Sequence, residues 1–212
     1  MPRPSRSPDR AASAAGAFTL IELLVALAVI AVLIGITLPA LRGSRAAAQR
    51  VACLANLRGI GVGMQLYVQT HDGLLPRALP LDDSAFNPRS EGPSPDSILA
   101  VIGPLVESAE VFICPADDEI PERLLAEGPV GRHSSYEYWA GWFMLFREIR
   151  ERDENPESAV TKLYEDDPTL PVFADSADRH PRGPGGVRKN ALYFQDWRAD
   201  WITPGLLTPE TP

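Results

Sequence analysis

Lysine is almost absent from this chain. Of 20 basic residues only Lys162 and Lys189 are lysines, and they stand against 28 Asp and Glu for a formal charge of −8 over 212 residues. That balance repels polyanions and leaves no basic patch to neutralise phosphates, so nucleic acid is not an expected partner. The arginine bias itself carries no functional reading. Cysteine is limited to Cys53 and Cys114, and histidine to His71, His133 and His180. Without a paired C-x-x-C spacing these residues do not spell a zinc site, and no metal is expected. At 23.1 kDa the chain is too small for a large multidomain enzyme, and 21 Pro with 16 Gly point to a loop-rich globular part.

What the chain has is one long apolar run. Phe18 to Leu38 reads FTLIELLVALAVIAVLIGITL, broken only by Thr19, Glu22, Gly35 and Thr37. As a helix it spans about 31 Å, enough to cross a bilayer and longer than the apolar core of a secretory signal peptide. Arg3, Arg6 and Arg10 outweigh Asp9 ahead of it, consistent with a cytoplasmic N-terminus, but Arg42, Arg45 and Arg50 follow just as closely. Glu22 is the anomaly, because a carboxylate inside an apolar span costs a few kcal/mol unless it is paired or reaches interfacial water. If a peptidase removed residues 1–17, the new α-amino group of Phe18 would lie at i and Glu22 at i+4, and the two charges would pair within a chain or between neighbours.

The segment AFTLIELLVALAVIAVLIGITLPAL resembles the class III signal segment of type IV pilins and type II secretion pseudopilins. In that family a prepilin peptidase cuts before a Phe, the new N-terminus is methylated, and Glu occupies the fifth mature position. The resemblance implies cleavage between Ala17 and Phe18, N-methylation of Phe18, and an assembly role for Glu22. Pro39 then falls at mature position 22, where many pilins carry a helix-loosening proline. The sequence departs in having Ala17 where Gly is usual; cutting after Gly16 instead would put Glu22 sixth. The implied product is an acidic ectodomain on a stem, with formal charge −10 once three Arg and one Asp of the leader are gone.

After Pro39, apolar residues at Leu54, Leu57, Gly61, Met64 and Val68 keep helical spacing, so the membrane helix is expected to continue as an amphipathic stem that stops at His71-Asp72-Gly73. Gly59, Gly61 and Gly63 weaken that helix and call for a compensating close contact or flexibility. They sit in a helical pattern with no preceding strand and no Lys-Ser/Thr after them, which is not the setting of a phosphate-cradling loop. Leu74 to Pro95 reads as a long surface loop, Ile98 to Val106 as a short helix interrupted at Gly103-Pro104, and Val111 to Ile113 as a strand. Trp142 to Arg152 reads as a helix packing Trp142, Leu145, Phe146 and Ile149 into the core. Leu170 to Ala174 reads as a strand, and Ala191 to Phe194 with Ala199 to Ile202 as a terminal hairpin turning near Asp196-Trp197-Arg198. The fold class expected is α+β: a long N-terminal helix packed on a small, mostly antiparallel sheet. The domains are a leader (1–17), a transmembrane helix (18–38), a stem (39–72) and a head (73–212).

The head resembles the prepilin-type proteins that carry a C-terminal His-x9-Asp-Gly signature. Cys53 ahead of Asn56-Leu57, Cys114-Pro115-Ala116-Asp117, Ser135-Tyr136 and His180 match in order, while Gln195-Asp196-Trp197 stands where Asp-Gly is expected. His180 and Asp196 are the head-motif residues this implies. In a compartment that permits disulfides Cys53 and Cys114 either bridge or pack as two buried thiols. No cofactor is implied except calcium, which some pseudopilins hold in a head loop. Asp82-Asp83, Asp117-Asp118-Glu119 and Glu165-Asp166-Asp167 are the acidic clusters, and none has EF-hand spacing. A triad of Ser176, Asp175 and His180 lacks a nucleophile elbow.

The resulting expectation is a non-enzymatic pilin-like subunit in the bacterial inner membrane, single-pass, with cytoplasmic N-terminus and periplasmic head, assembling into a pseudopilus or pilus. Its expected partners are a prepilin peptidase, other pilin or pseudopilin subunits, an inner-membrane assembly platform and the lipid bilayer. The rival readings are a membrane-anchored ligand-binding module and an anchored hydrolase.

Overall fold

A computed structural model describes residues 19–80, 96–117 and 134–204. Gly16, Ala17 and Phe18, the rest of the leader, Asp82-Asp83, Asp118-Glu119 and His133 lie outside the described residues. By their contacts the residues divide between 43 and 44 into two compact units.

The helix α1 (Leu20–Thr70) begins in the first unit. There its large apolar side chains, from Leu20 to Leu41, are all exposed, so no side of the helix is polar. An all-round apolar helix is what a lipid environment or a packed bundle demands. Pro39 lies inside the helix rather than ending it. A proline removes the bond to the carbonyl four residues back, here that of Gly35, and its ring crowds the same turn. Thr37 Oγ1 donates to Leu33 O at 2.9 Å, a back-bond that often accompanies bending.

In the second unit α1 becomes amphipathic. Cys53, Leu54, Leu57, Ile60 and Met64 recur at three and four residues and are buried, while Val51, Val62 and Leu66 remain exposed. The helix ends in a left-handed turn at Asp72 and Gly73, where Gly73 N–H bonds Val68 O at 3.0 Å. Next come α2 (Ile98–Ile102), running into a 3-10 turn at Gly103–Leu105, and a second 3-10 turn at Ala109–Phe112. The remaining elements are β1 (Tyr136–Tyr138), α3 (Trp139–Phe146) with a wider π turn at Arg147–Glu151, α4 (Pro156–Asp166), β2 (Pro171–Asp175), a 3-10 turn at Pro184–Gly186, β3 (Asn190–Tyr193) and β4 (Ala199–Trp201).

The strands form one antiparallel sheet in the order β1-β2-β3-β4, with Phe173 opposite Leu192 and Ala174 opposite Ala191. Alternation along a strand then sorts the faces. Phe173 and Leu192 join the core built on the α1 stripe, whereas Ala174, Ala191, Tyr193 and Ile202 form a smaller cluster with Trp139 and Val187. The architecture is thus α+β, a long helix with a small antiparallel sheet, as expected.

Several local expectations are corrected. Residues 74–80 are not a surface loop, since Leu75, Pro76, Ala78 and Pro80 are buried. A buried strap must have its polar backbone satisfied, and here Thr161 Oγ1 accepts from Leu75 N–H, Tyr138 Oη donates to Pro76 O, and Tyr138 N–H bonds Pro80 O. Val111 to Ile113 is not a strand: Ser108 Oγ caps the 3-10 turn there, and Ile113 O accepts from Asn56 Nδ2 of α1 rather than from a neighbouring strand. The stripe of Trp142, Phe146 and Ile149 points outward, and α3 packs instead by Ala140, Gly141 and Met144. The reason is close approach: a Cβ on Gly141 would lie 2.7 Å from Ala78 O of the strap. The helix α4 was not among the expected elements, although Pro156 in its first turn and buried Val160 and Tyr164 four apart carry its signal.

The α1 glycines include true contacts. A Cβ on Gly63 would lie 2.7 Å from Val106 Cγ1, one on Gly61 3.1 Å from Leu192 Cδ1, and one on Gly59 no closer than 3.4 Å to Val111. Gly63→Ala is therefore expected to destabilise the second unit by about 1–3 kcal/mol through overpacking. Gly59→Ala is expected to stabilise it by up to about 1 kcal/mol through helix propensity. Thermal melts of the full chain in detergent distinguish the two.

Tyr136, Tyr138 and Tyr164 are fully buried, and burial pushes each phenol well above its ordinary range. The fold thus favours the neutral phenols. Their contribution to stability is complete below the unfolded value of about 10 and is lost as pH climbs above it. Melting temperature should fall in that alkaline window, with the tyrosinate absorbance of these three appearing on unfolding and not before it.

Candidate functional site

Two arrangements merit chemical scrutiny, one in each unit. In the first, Thr19 stands immediately before α1 and Glu22 occupies the third helical position. Thr19 N–H donates to Glu22 Oε2 at 2.9 Å, Glu22 N–H donates to Thr19 Oγ1 at 3.3 Å, and the Thr19 hydroxyl donates to Glu22 Oε2 at 2.8 Å. This is a capping box, in which the helix start and the carboxylate satisfy each other. The signature T-x-x-E ahead of an apolar run carries the signal for this box in the sequence. Glu22 is therefore held at the first turn by local donors, facing the end of the helix where Phe18 precedes Thr19.

In the second unit the matched motif pieces converge. Cys53 of α1 and Cys114 are joined by a disulfide across 61 residues, with Cα atoms 5.0 Å apart. Tyr136 Oη donates to Cys53 O at 3.3 Å, and Cys114 N–H donates to Ser135 Oγ at 2.9 Å. The Ser135 hydroxyl donates to Asp117 Oδ2 at 2.7 Å, and the same carboxylate oxygen pairs with Arg179 Nη2 at 2.8 Å in a nearly solvent-free ion pair. Arg179 Nη1 also donates to Ser135 O, tying the loop after β2 to the start of β1. Residues drawn from positions 53, 114, 117, 135, 136 and 180 thus meet around one bridge.

His180 completes that cluster. Its Nε2 lies 3.7 Å from Cys114 Sγ and 3.2 Å from Asp175 Oδ2, and both the imidazole and the carboxylate are wholly buried. Strand alternation explains Asp175: it shares the β2 face of Phe173, two residues earlier, so a carboxylate is carried inward with the core. Asp175 Oδ2 also accepts from Asn190 N–H at 2.6 Å, and Asn190 Oδ1 accepts from Arg50 Nε at 3.1 Å. Arg50 in turn lies 3.7 Å over the Trp201 ring and pairs with Asp200. Asp175 Oδ1, His180 Nδ1 and Asn190 Nδ2 have no hydrogen-bond partner among the described residues.

Asp196 is not part of this cluster. It is exposed at the β3–β4 turn, where Oδ1 accepts from Arg198 N–H at 3.2 Å and Trp197 takes a positive φ of 51°. Asp196 serves the hairpin. The hydrolytic triad is not assembled either: Ser176 Oγ donates to Ser135 O and accepts from Arg179, while the Asp175–His180 pair abuts a disulfide that offers no nucleophile. Of the acidic clusters, Asp117 is committed to Ser135 and Arg179, and Asp167 caps Thr169.

Comparison with known proteins locates the class. Residues 13–38 match the family model described as the prokaryotic N-terminal methylation motif. No curated protein and no solved structure matches the chain. The match covers the N-terminal segment alone; together with the helix that carries it, long and apolar enough to cross a membrane, it is consistent with a type IV prepilin- or pseudopilin-like protein.

Closing a loop of this length with a disulfide limits the unfolded chain by about 4 kcal/mol. Replacing both Cys53 and Cys114 with Ala should lower denaturant stability of the second unit by that order and leave membrane association unchanged. Chemical denaturation and carbonate extraction measure the two separately.

Proposed function

We propose that the chain is a structural pilin-like subunit that a prepilin peptidase cuts between Ala17 and Phe18, that is methylated on the Phe18 amine, and that assembles through its apolar helix into a type II secretion pseudopilus or type IV pilus-like filament. Before assembly it crosses the inner membrane once, with the second unit on the periplasmic side. The observation that carries this reading is the methylation motif at residues 13–38 with Glu22 at the fifth position from Phe18. An exposed, all-round apolar helix supports it, because lipid first and neighbouring helices afterwards can cover the same surface. No turnover is assigned to the protein.

In this reading Glu22 has two employers. The capping box holds it at the first turn, and the amine of Phe18 on the same or a neighbouring subunit supplies the counter-charge that a carboxylate in an apolar setting requires. Pro39 and the bond missing at Gly35 O loosen the helix where subunits pack.

A tether for a ligand-binding head is the second reading, favoured by a cleft of about 480 Å³ beside Arg77, Leu79, Gly141, Met144 and Glu148.

Two substitutions separate charge from cap. Glu22→Val removes both and should abolish filament incorporation while leaving membrane insertion intact. Glu22→Gln keeps a capping side chain and loses the charge, so it should fail like Glu22→Val. Normal incorporation of Glu22→Gln would refute the ion-pair role, and mass spectrometry showing a mature chain with residues 1–17 still attached would refute the subunit reading.

A further inference from the structure

The cluster around the disulfide has the makings of a second chemical state. Cys53, Cys114 and His180 each present a ligand atom within 4.8 Å of the others, and all three residues are buried. His180 Nε2 is 3.2 Å from Asp175 Oδ2 and 3.7 Å from Cys114 Sγ. Around a tetrahedral zinc with bonds of about 2.0 Å to N and O and 2.3 Å to S, neighbouring N and O ligands stand roughly 3.3 Å apart and neighbouring S and N ligands roughly 3.6 Å. Two edges of such a tetrahedron are therefore already in place. Of the other four, the sulfur–sulfur edge is too short because the atoms are bonded to each other, and Asp175 stands outside the group of three whose ligand atoms lie within 4.8 Å of one another. Opening that bond would supply both the separation and the two thiolates.

Asp175 and His180 are both wholly buried, and a carboxylate so deeply buried is ordinarily paired or bound to a cation.

We propose that the dithiol form of this protein binds one zinc-class divalent cation through Cys53 Sγ, Cys114 Sγ, His180 Nε2 and Asp175 Oδ2. In the first step a dithiol reductant passes two electrons and two protons to the disulfide, which breaks to two thiols while the reductant closes its own disulfide. In the second step the cation displaces the two thiol protons to solvent. The neutral imidazole carries its remaining proton on Nδ1, and Asp175 changes from hydrogen-bond acceptor to ligand. Oxidation by a disulfide reverses both steps and expels the cation, so bridge and metal exclude each other. The absence of C-x-x-C spacing is no obstacle, because α1, the turn before β1 and the end of β2 bring the ligands together. The inference concerns the second unit alone and stands or falls separately from the filament reading.

The test uses the full chain in detergent, reduced with a phosphine, with both thiols verified by alkylation and mass measurement, and titrated with cobalt(II). The expected result is one equivalent bound, with thiolate charge-transfer absorption and the intense ligand-field bands of a tetrahedral site, displaced by zinc. The oxidised protein should show neither. His180→Ala and Asp175→Asn should each weaken zinc binding by at least about tenfold, while the neighbouring Ser176→Ala leaves it unchanged. If a variant fails to fold, the comparison of reduced with oxidised unsubstituted protein decides. No cobalt bound at one equivalent, a weak octahedral spectrum, binding unaltered by His180→Ala, or near-ultraviolet dichroism lost on reduction and not restored by metal would each overturn the proposal.

Discussion

The second unit depends on one seam, the stripe of α1 from Cys53 to Met64 seated in the core it shares with Phe173 and Leu192 of the sheet. Leu57, Ile60 and Met64 are fully buried, and each such side chain is worth about 1.5–3 kcal/mol. Several other features of the unit are arranged around that contact. Gly61 and Gly63 trade helix propensity for the proximity of Leu192 and Val106, and the disulfide fastens the stripe covalently at Cys53. The strap at residues 74–80 can be buried because Tyr138 and Thr161 supply its hydrogen bonds.

The chain answers two carboxylates differently, Glu22 at the start of the apolar run and the buried Asp175. Glu22 is answered by Thr19, three residues away, in a pairing that needs only the first helical turn. Asp175 is answered by His180 and by Asn190 N–H, fifteen residues on in β3, and only the folded sheet makes that pairing. The first arrangement is local to one helical turn. The second reports on whether the core is correctly closed, and it shares His180 with the disulfide.

Legibility in the sequence followed the range of the interaction. The apolar run, the continuation past Pro39, the stop at Gly73 and the terminal hairpin rest on periodicity and turn chemistry within a few residues, and these are visible in the chain as written. The outward turn of Trp142, Phe146 and Ile149 was not visible. An apolar stripe says that a face exists, while the choice of α3 to pack by Gly141 depends on a strap some sixty residues earlier in the chain. Val111 to Ile113 failed as a strand for a related reason: three apolar residues fit a strand or a turn equally, and the side chain of Asn56 decided.

By itself the sequence determined the first unit, an apolar helix with Glu22 near its start and the methylation motif around it, because helix formation and lipid compatibility are set by neighbours along the chain. Only the tertiary structure decided that Cys53, Cys114, Asp117, Ser135, Tyr136 and His180 share one buried site and that Asp196 does not. The four segments that carry those residues are far apart in the chain, and no local preference encodes their distance. Packing the sheet against the helix brings them within bonding range.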